Sequence, residues 1–174
     1  MKISISRTPA KIKYYSNLEY MLFPIFNTMA RKRKKHVPMS RSQMMQAVHS
    51  EDTRPELLAR RALFQAGFRY RLHKRDLPGS PDLFILKYNV VVFVNGCFWH
   101  QHGCKLTSRP KSNSNFWNDK FTNNVVRDVK TGWKLSLLGY RVATVWECSL
   151  KSDFSRTIER LTAFIKSDEE TLEI

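Results

Sequence analysis

The sequence predicts an α/β protein, a mixed central sheet flanked by helices, built by one domain over residues 39–174. Three observations predict it. Short apolar runs of strand length are interleaved with stretches of helical period, in the order α, α, β, β, β, α, β, α. The chain has 174 residues, 42% of them apolar, which suffices for one core and not for two of ordinary size. Glycine, proline and asparagine fall between the periodic stretches, as turn residues should.

Each element has its own signal. Residues 40–48 suit a helix, with Met44, Met45 and Val48 at helical spacings. Thr53-Arg54-Pro55-Glu56 has the form of a capping box with proline in the first turn. Leu57, Leu58, Ala62, Leu63 and Ala66 then make an apolar face that ends at Gly67. Residues 68–72 alternate, 83–86 are apolar, and 90–94 are continuous and β-branched, so three strands are expected. Turns at Pro78-Gly79-Ser80-Pro81 and Tyr88-Asn89 separate them. Residues 116–138 read as a long helix closed by Gly139, residues 140–146 as a fourth strand, and 154–165 as an amphipathic helix. No internal repeat is present.

Lys and Arg number 30 against 15 Asp and Glu, a net charge of +15. Such a balance favours a polyanionic partner and argues against a small neutral substrate. The charge is uneven: residues 1–38 carry +8, residues 39–150 +9, and residues 151–174 −2. The first of these, with Arg31-Lys32-Arg33-Lys34-Lys35-His36, is expected to be a disordered basic extension. No run reaches the roughly 18 apolar residues of a spanning helix. No secretory leader is legible, since the apolar stretch 21–26 is short and holds Pro24. A cytoplasmic protein without membrane contact is expected. Three cysteines cannot form a fully paired disulfide framework, which leaves metal ligation or burial.

Cys97, His102 and Cys104 lie in one loop, and Cys148 follows the fourth strand. Three thiolates and an imidazole match a closed, structural tetrahedral zinc site. The alternative makes Cys97 and Cys148 small buried apolar residues and the histidines surface residues. His100 is left over, free to face elsewhere. Phe98 and Trp99 precede it, and Phe116 and Trp117 stand at the start of the long helix. These aromatics are either core or wedges that enter a base stack. Asp82 opens a strand against β-propensity, and Glu56 is either a cap or a functional carboxylate. Phosphodiester hydrolysis needs oxygen ligands for Mg²⁺ and a base for water. Asp82, a carbonyl on 90–95, Glu56 and His100 could supply these, with Asp128 and Glu147 as further polar candidates.

Leu77-Pro78-Gly79-Ser80-Pro81-Asp82, Phe93-Val94-Asn95-Gly96-Cys97-Phe98-Trp99-His100, Asn124-Val125-Val126-Arg127-Asp128 and Val145-Trp146-Glu147-Cys148 together resemble the very-short-patch repair mismatch endonuclease family. The resemblance runs from about residue 39 to 150 and weakens in the last helix. It implies a restriction-endonuclease-like fold (the PD-(D/E)xK superfamily), a structural zinc, and Mg²⁺-dependent nicking of duplex DNA 5′ to the thymine of a T·G mismatch. It further implies a monomer whose nick is taken over by downstream repair proteins. By position, Asp82 is the magnesium carboxylate, Val94 offers its backbone carbonyl, and His100 is the general base. Glu56 supports the site through metal-bound water or His100. Cys97, His102, Cys104 and Cys148 bind zinc. Phe98, Trp99 and Trp117 form the wedge, and Met45 enters from the other groove.

Two departures qualify the match. Asn95 replaces a histidine at the scissile phosphate, so it is expected to position rather than catalyse. The superfamily's lysine is absent near 93–95, which fits His100 acting in its place. Two rivals remain: a zinc-stabilised DNA-binding module without nuclease activity, and a same-fold nuclease of a restriction system acting on unmismatched DNA.

Overall fold

The computed structural model describes residues 51–174. The expected helix over 40–48 with Met45, and the basic extension 1–38, lie outside the described residues.

Helix α1 spans Arg54–Gln65, β1 Arg71–Leu72, β2 Leu83–Ile85 and β3 Val90–Asn95. Helix α2 spans Ser114–Leu137, β4 Arg141–Trp146, α3 Glu147–Ser152, α4 Phe154–Lys166 and β5 Thr171–Glu173. The sheet order is β1-β2-β3-β4-β5. The β1/β2 and β2/β3 pairs are antiparallel, whereas β3/β4 and β4/β5 are parallel. Helix α2 makes the crossover between β3 and β4, and α3 and α4 make the one between β4 and β5. The mixed sheet with flanking helices is therefore present.

The period of two along β3 divides the core. Val90, Val92 and Val94, with Ala143 and Val145 of β4, face Ala59 and Leu63 of α1 and Leu161, Phe164 and Ile165 of α4. Val91 and Val142 face the other way, onto Leu135 of α2, with Leu77, Phe84, Phe93 and Tyr140. Phe164 and Ile165 sit one helical turn after Leu161, and burying each of the three contributes roughly 1.5–3 kcal/mol. Both faces of the sheet are thus covered, which is why β3 reads as an unbroken apolar run.

Helix α2 stops where glycine permits it. Gly139 has φ +77°, and the Tyr140 N–H donates to the Leu135 carbonyl at 3.0 Å. That bond pattern, with Tyr140 packed on the Leu135 cluster, is a Schellman cap.

Three local expectations need correction. Residues 68–72 do not form one strand: Gly67 has φ +88° and the Phe68 N–H donates back to the Leu63 carbonyl. Phe68 thus belongs to the cap of α1, and only 71–72 pair. The capping box is also different. The Thr53 side chain makes no bond to the helix backbone; its hydroxyl donates to Glu56 Oε1 at 2.7 Å, while the Asp52 N–H donates to Oε2 at 3.0 Å. Finally, α3 and β5 were not foreseen. β5 forms in an acidic stretch because β4 offers it an edge, and the Ile174 N–H donates to the Thr144 carbonyl.

Candidate active site and metal-ligand cluster

Asp82 precedes β2 and lies beside the extension of β3 beyond its partner. β2 pairs only with residues 90–92, so Val94 has no β2 neighbour. The Asp82 carboxylate takes that place, with Oδ2 accepting the Val94 N–H at 2.7 Å. The N–H and C=O of one strand residue point to the same edge, so the Val94 carbonyl faces the Asp82 side. Burial raises the Asp82 pKa to about 6. The Val94 N–H opposes that rise, the charge of Glu56 adds to it, and His73 and Arg60 offset a little.

Glu56 is 3% exposed and lies near Asp82 on α1. Arg60, one turn on, pairs with its Oε2 at 2.9 Å. Arg60 also bonds Asp52 and lies 2.9 Å from His73 Nε2. The hydrogen bonds of Glu56 thus go to Thr53, Asp52 and Arg60, and none goes to His100 among the described residues.

The loop after β3 turns tightly at Gly96, whose carbonyl accepts the N–H groups of both Trp99 and His100. The turn aims His100 away from His102. His100 Nδ1 is hydrogen-bonded to Asp128 Oδ2 on α2. Since a carboxylate only accepts, Nδ1 carries the proton and Nε2 is left as the basic nitrogen. Trp146 contacts both histidines: His102 stacks on it at 4.1 Å and 10°, and the His100 and Trp146 rings meet edge to face at 6.3 Å.

Glu56, Asp82, Val94, Asn95, Trp99 and His100 line one open cavity of about 870 Å³, together with His73, Lys120, Asn124, Asp128 and Thr131. The structure therefore brings together the residues expected for hydrolysis. The Asn95 side chain makes no hydrogen bond among the described residues. Phe98 and Trp117 lie outside this lining, in an aromatic cluster at its rim. Phe98 packs against Trp99 at 5.0 Å, Phe121 at 5.3 Å and Trp117 at 5.7 Å. Lys120 Nζ sits 5.4 Å from the Trp99 ring centroid, and Asn124 Nδ2 donates to the Trp99 carbonyl at 3.0 Å.

The ligand atoms of Cys97, His102, Cys104 and Cys148 all lie within 4.8 Å of one another. Cys148 Sγ is 3.3 Å and Cys97 Sγ 3.8 Å from His102 Nδ1. A tetrahedral zinc with Zn–S near 2.3 Å sets ligand atoms about 3.8 Å apart, so the set fits that ion. The sulfurs are not disulfide-bonded. Two backbone donors favour thiolate: the Cys148 N–H reaches Cys97 Sγ at 3.4 Å and the Leu106 N–H reaches Cys104 Sγ at 3.3 Å. Burial holds the Cys97 thiol up at about 12. Cys104 is brought down to about 6: desolvation opposes its ionisation, but the Leu106 N–H, His102 and the other thiols outweigh it.

Several contributors were not assigned a role by sequence reasoning. Trp117, Phe121, Asn124, Asp128, Thr131 and Leu135 recur at steps of three or four, which is one helix face. That period was a usable signal for Asp128 and Asn124. The contact of Trp146 with both histidines, and Lys120 over the aromatics, had no local signal.

Comparison with known proteins bears on the whole arrangement. The family model described as DNA mismatch endonuclease Vsr matches residues 33–106. The type II nicking enzyme V.NmeAIP of Neisseria meningitidis is 46% identical over 112 residues, covering 64% of this chain and 80% of the relative. V.XorIIP of Xanthomonas oryzae, also a type II nicking enzyme, is 44% identical over 124 residues, covering 71% and 90%. The DNA mismatch endonuclease Vsr of Escherichia coli is 39% identical over 127 residues, covering 73% and 81%. The stretch matched by the family model holds Glu56, Asp82, Val94, Asn95 and His100 of the cavity and Cys97, His102 and Cys104 of the cysteine cluster, and the extent and identity of the relatives' matches place the chain in the DNA mismatch endonuclease Vsr family.

Proposed function

We propose that this protein is a DNA endonuclease that nicks one strand of a duplex 5′ to the thymine of a T·G mismatch. One observation carries the reading: Asp82 and the His100–Asp128 pair line the same cavity, with the aromatic cluster at its rim. Membership of the family supports mismatch endonuclease chemistry, and the relatives named nicking enzymes support cutting a single strand.

The Asp82 carboxylate and the Val94 carbonyl are hard oxygen donors suited to Mg²⁺. Burial, with the charge of Glu56 adding to it, raises the Asp82 pKa, and a bound cation would oppose that rise. When bound, Mg²⁺ supplies charge neutralisation at the phosphoryl oxygens. His100 Nε2 takes the proton of the attacking water. Asp128 fixes the tautomer and holds the ring in place, and it stabilises the imidazolium that forms. Glu56, held by Arg60, sets the field around Asp82. Asn95 offers amide donors to a phosphate oxygen. Phe98, Trp99 and Trp117 act as the wedge, and Met45 enters the DNA from the other groove. Cys97, His102, Cys104 and Cys148 hold a structural zinc that fixes the loop bearing His100. The protein works as a monomer, and repair proteins follow the nick.

The test compares matched and T·G duplexes of one sequence, with Mg²⁺ present. Nicking confined to the T·G duplex is expected, and Asp82→Ala or His100→Ala should abolish it while binding persists. An intact T·G strand sinks the proposal. Equal nicking of both duplexes would favour the second reading, a nuclease of unmismatched DNA, to which the relatives named type II nicking enzymes lend weight.

A further inference from the structure

Helix α2 carries a second feature that the chemistry above does not use. Asn123, Arg127, Lys130 and Lys134 recur at steps of four, three and four, so they form one stripe about 16 Å long. With Pro78, Gly79, Val126 and Thr131 they line a groove of about 390 Å³. Gly79, Arg127 and Thr131 also line the active-site cavity, so the groove continues from it.

The two walls are held close together. Gly79 has φ +75°, and a Cβ there would run into the Thr131 side chain. The loop therefore rests directly on α2, and three residues further on the same chain delivers Asp82. The groove contains no acidic residue. Lys130 and Lys134 are exposed and have no acidic partner within 4.0 Å among the described residues. The ion pair of Arg127 is with its neighbour Asp128, at 3.7 Å, and that carboxylate is already bonded to His100. Three cations thus line a channel leading away from the reacting groups, unlike Lys151, which is neutralised by Glu147 one turn back.

We propose that this groove is a phosphate track: Arg127, Lys130 and Lys134 bind backbone phosphates of the duplex flanking the cut, which do not react. This rests on the reading above that the substrate is duplex DNA. Phosphate contacts of this kind set position and affinity and carry no base information. The track therefore acts equally on matched and mismatched duplexes, unlike the aromatic rim.

The full chain and its Lys130→Gln/Lys134→Gln double variant are compared for binding to matched and T·G duplexes over a salt series. Both substituted side chains are exposed, so an unchanged thermal melt is the check on folding. The slope of log affinity against log salt should fall by about 2 in magnitude, close to one per lysine removed. Affinity for the two duplexes should drop by the same factor, leaving their ratio as in the unsubstituted protein. An unchanged slope overturns the track. A changed T·G-to-matched ratio also overturns it, because the lysines would then read the mismatch. If the unsubstituted protein fails to nick T·G DNA, the functional reading falls, and the salt slope still decides the groove.

Discussion

His100 and Asp128 are 28 positions apart in sequence and share a hydrogen bond from ring Nδ1 to carboxylate Oδ2. The bond joins the loop after β3 to the middle of α2. It leaves Nε2 as the nitrogen available to a proton, and it makes the position of the base depend on a helix rather than on the loop alone.

Asp128→Asn should therefore separate chemistry from binding. An amide can present its own donor to Nδ1 and favour the wrong tautomer, and it cannot stabilise an imidazolium. We expect single-turnover nicking of a T·G duplex to fall on the order of 10²–10⁴-fold. Affinity for that duplex should change by less than about threefold, well under 1 kcal/mol. A variant that nicks at the normal rate would remove Asp128 from the mechanism. One that loses binding would assign it to the DNA interface.

The cysteine cluster makes a prediction about stability and composition. Purified protein should carry about one zinc per chain, and Cys97→Ser or Cys148→Ser should lose the ion and lower the melting temperature. The loop from 96 to 107 has few buried apolar side chains; Cys97 is its only fully buried residue. Without the ion, the His102–Trp146 stack is the main contact left to hold it against β4. Because His100 lies in this loop, nicking should fall with the metal even though neither cysteine lines the cavity. Elemental analysis beside thermal melts checks this. Metal-free protein with an unaltered melt on substitution would return the cysteines to the role of ordinary buried residues.

Much of this was legible in the sequence, and the exceptions have physical causes. β3 could be read from its unbroken apolar run, α4 from its amphipathic period, and α2 because Gly139 ends it. β5 was not legible: Thr171, Leu172 and Glu173 have no strand pattern of their own and pair because β4 has a free edge. The residues lining the cavity were legible as chemical types, since Asp82 stands against local preference and His100 is left over from the cysteine cluster. Their pairing was not. Which carboxylate reaches His100 depends on how α2 crosses the sheet, a long-range property, and Asp128 was one polar candidate among several. The same holds for Trp146, which reads as a strand residue and contacts both histidines.

Asp82 supplies the last prediction, because its burial has a sign that can be measured. Its pKa rises from 3.8 in the unfolded chain to about 6 in the fold. Between those values the folded protein holds a proton that the unfolded chain has released, so stability falls as pH rises through that window. Above about pH 6 the folded protein carries the full penalty of an ionised, buried carboxylate, on the order of 2–3 kcal/mol. Asp82→Asn removes the charge and keeps an oxygen that can accept the Val94 N–H. In Mg²⁺-free buffer the variant should be the more stable protein at pH 8, by roughly 1–3 kcal/mol, and the gap should close toward pH 4. Denaturant melts at several pH values read it directly, without a chelator, so that the cysteine cluster stays loaded. Adding Mg²⁺ should narrow the gap at pH 8, since only the carboxylate gains from a bound cation. A gap that does not vary with pH, or a parent protein more stable than the variant at pH 8, would show that Asp82 is not held at a cost to the fold.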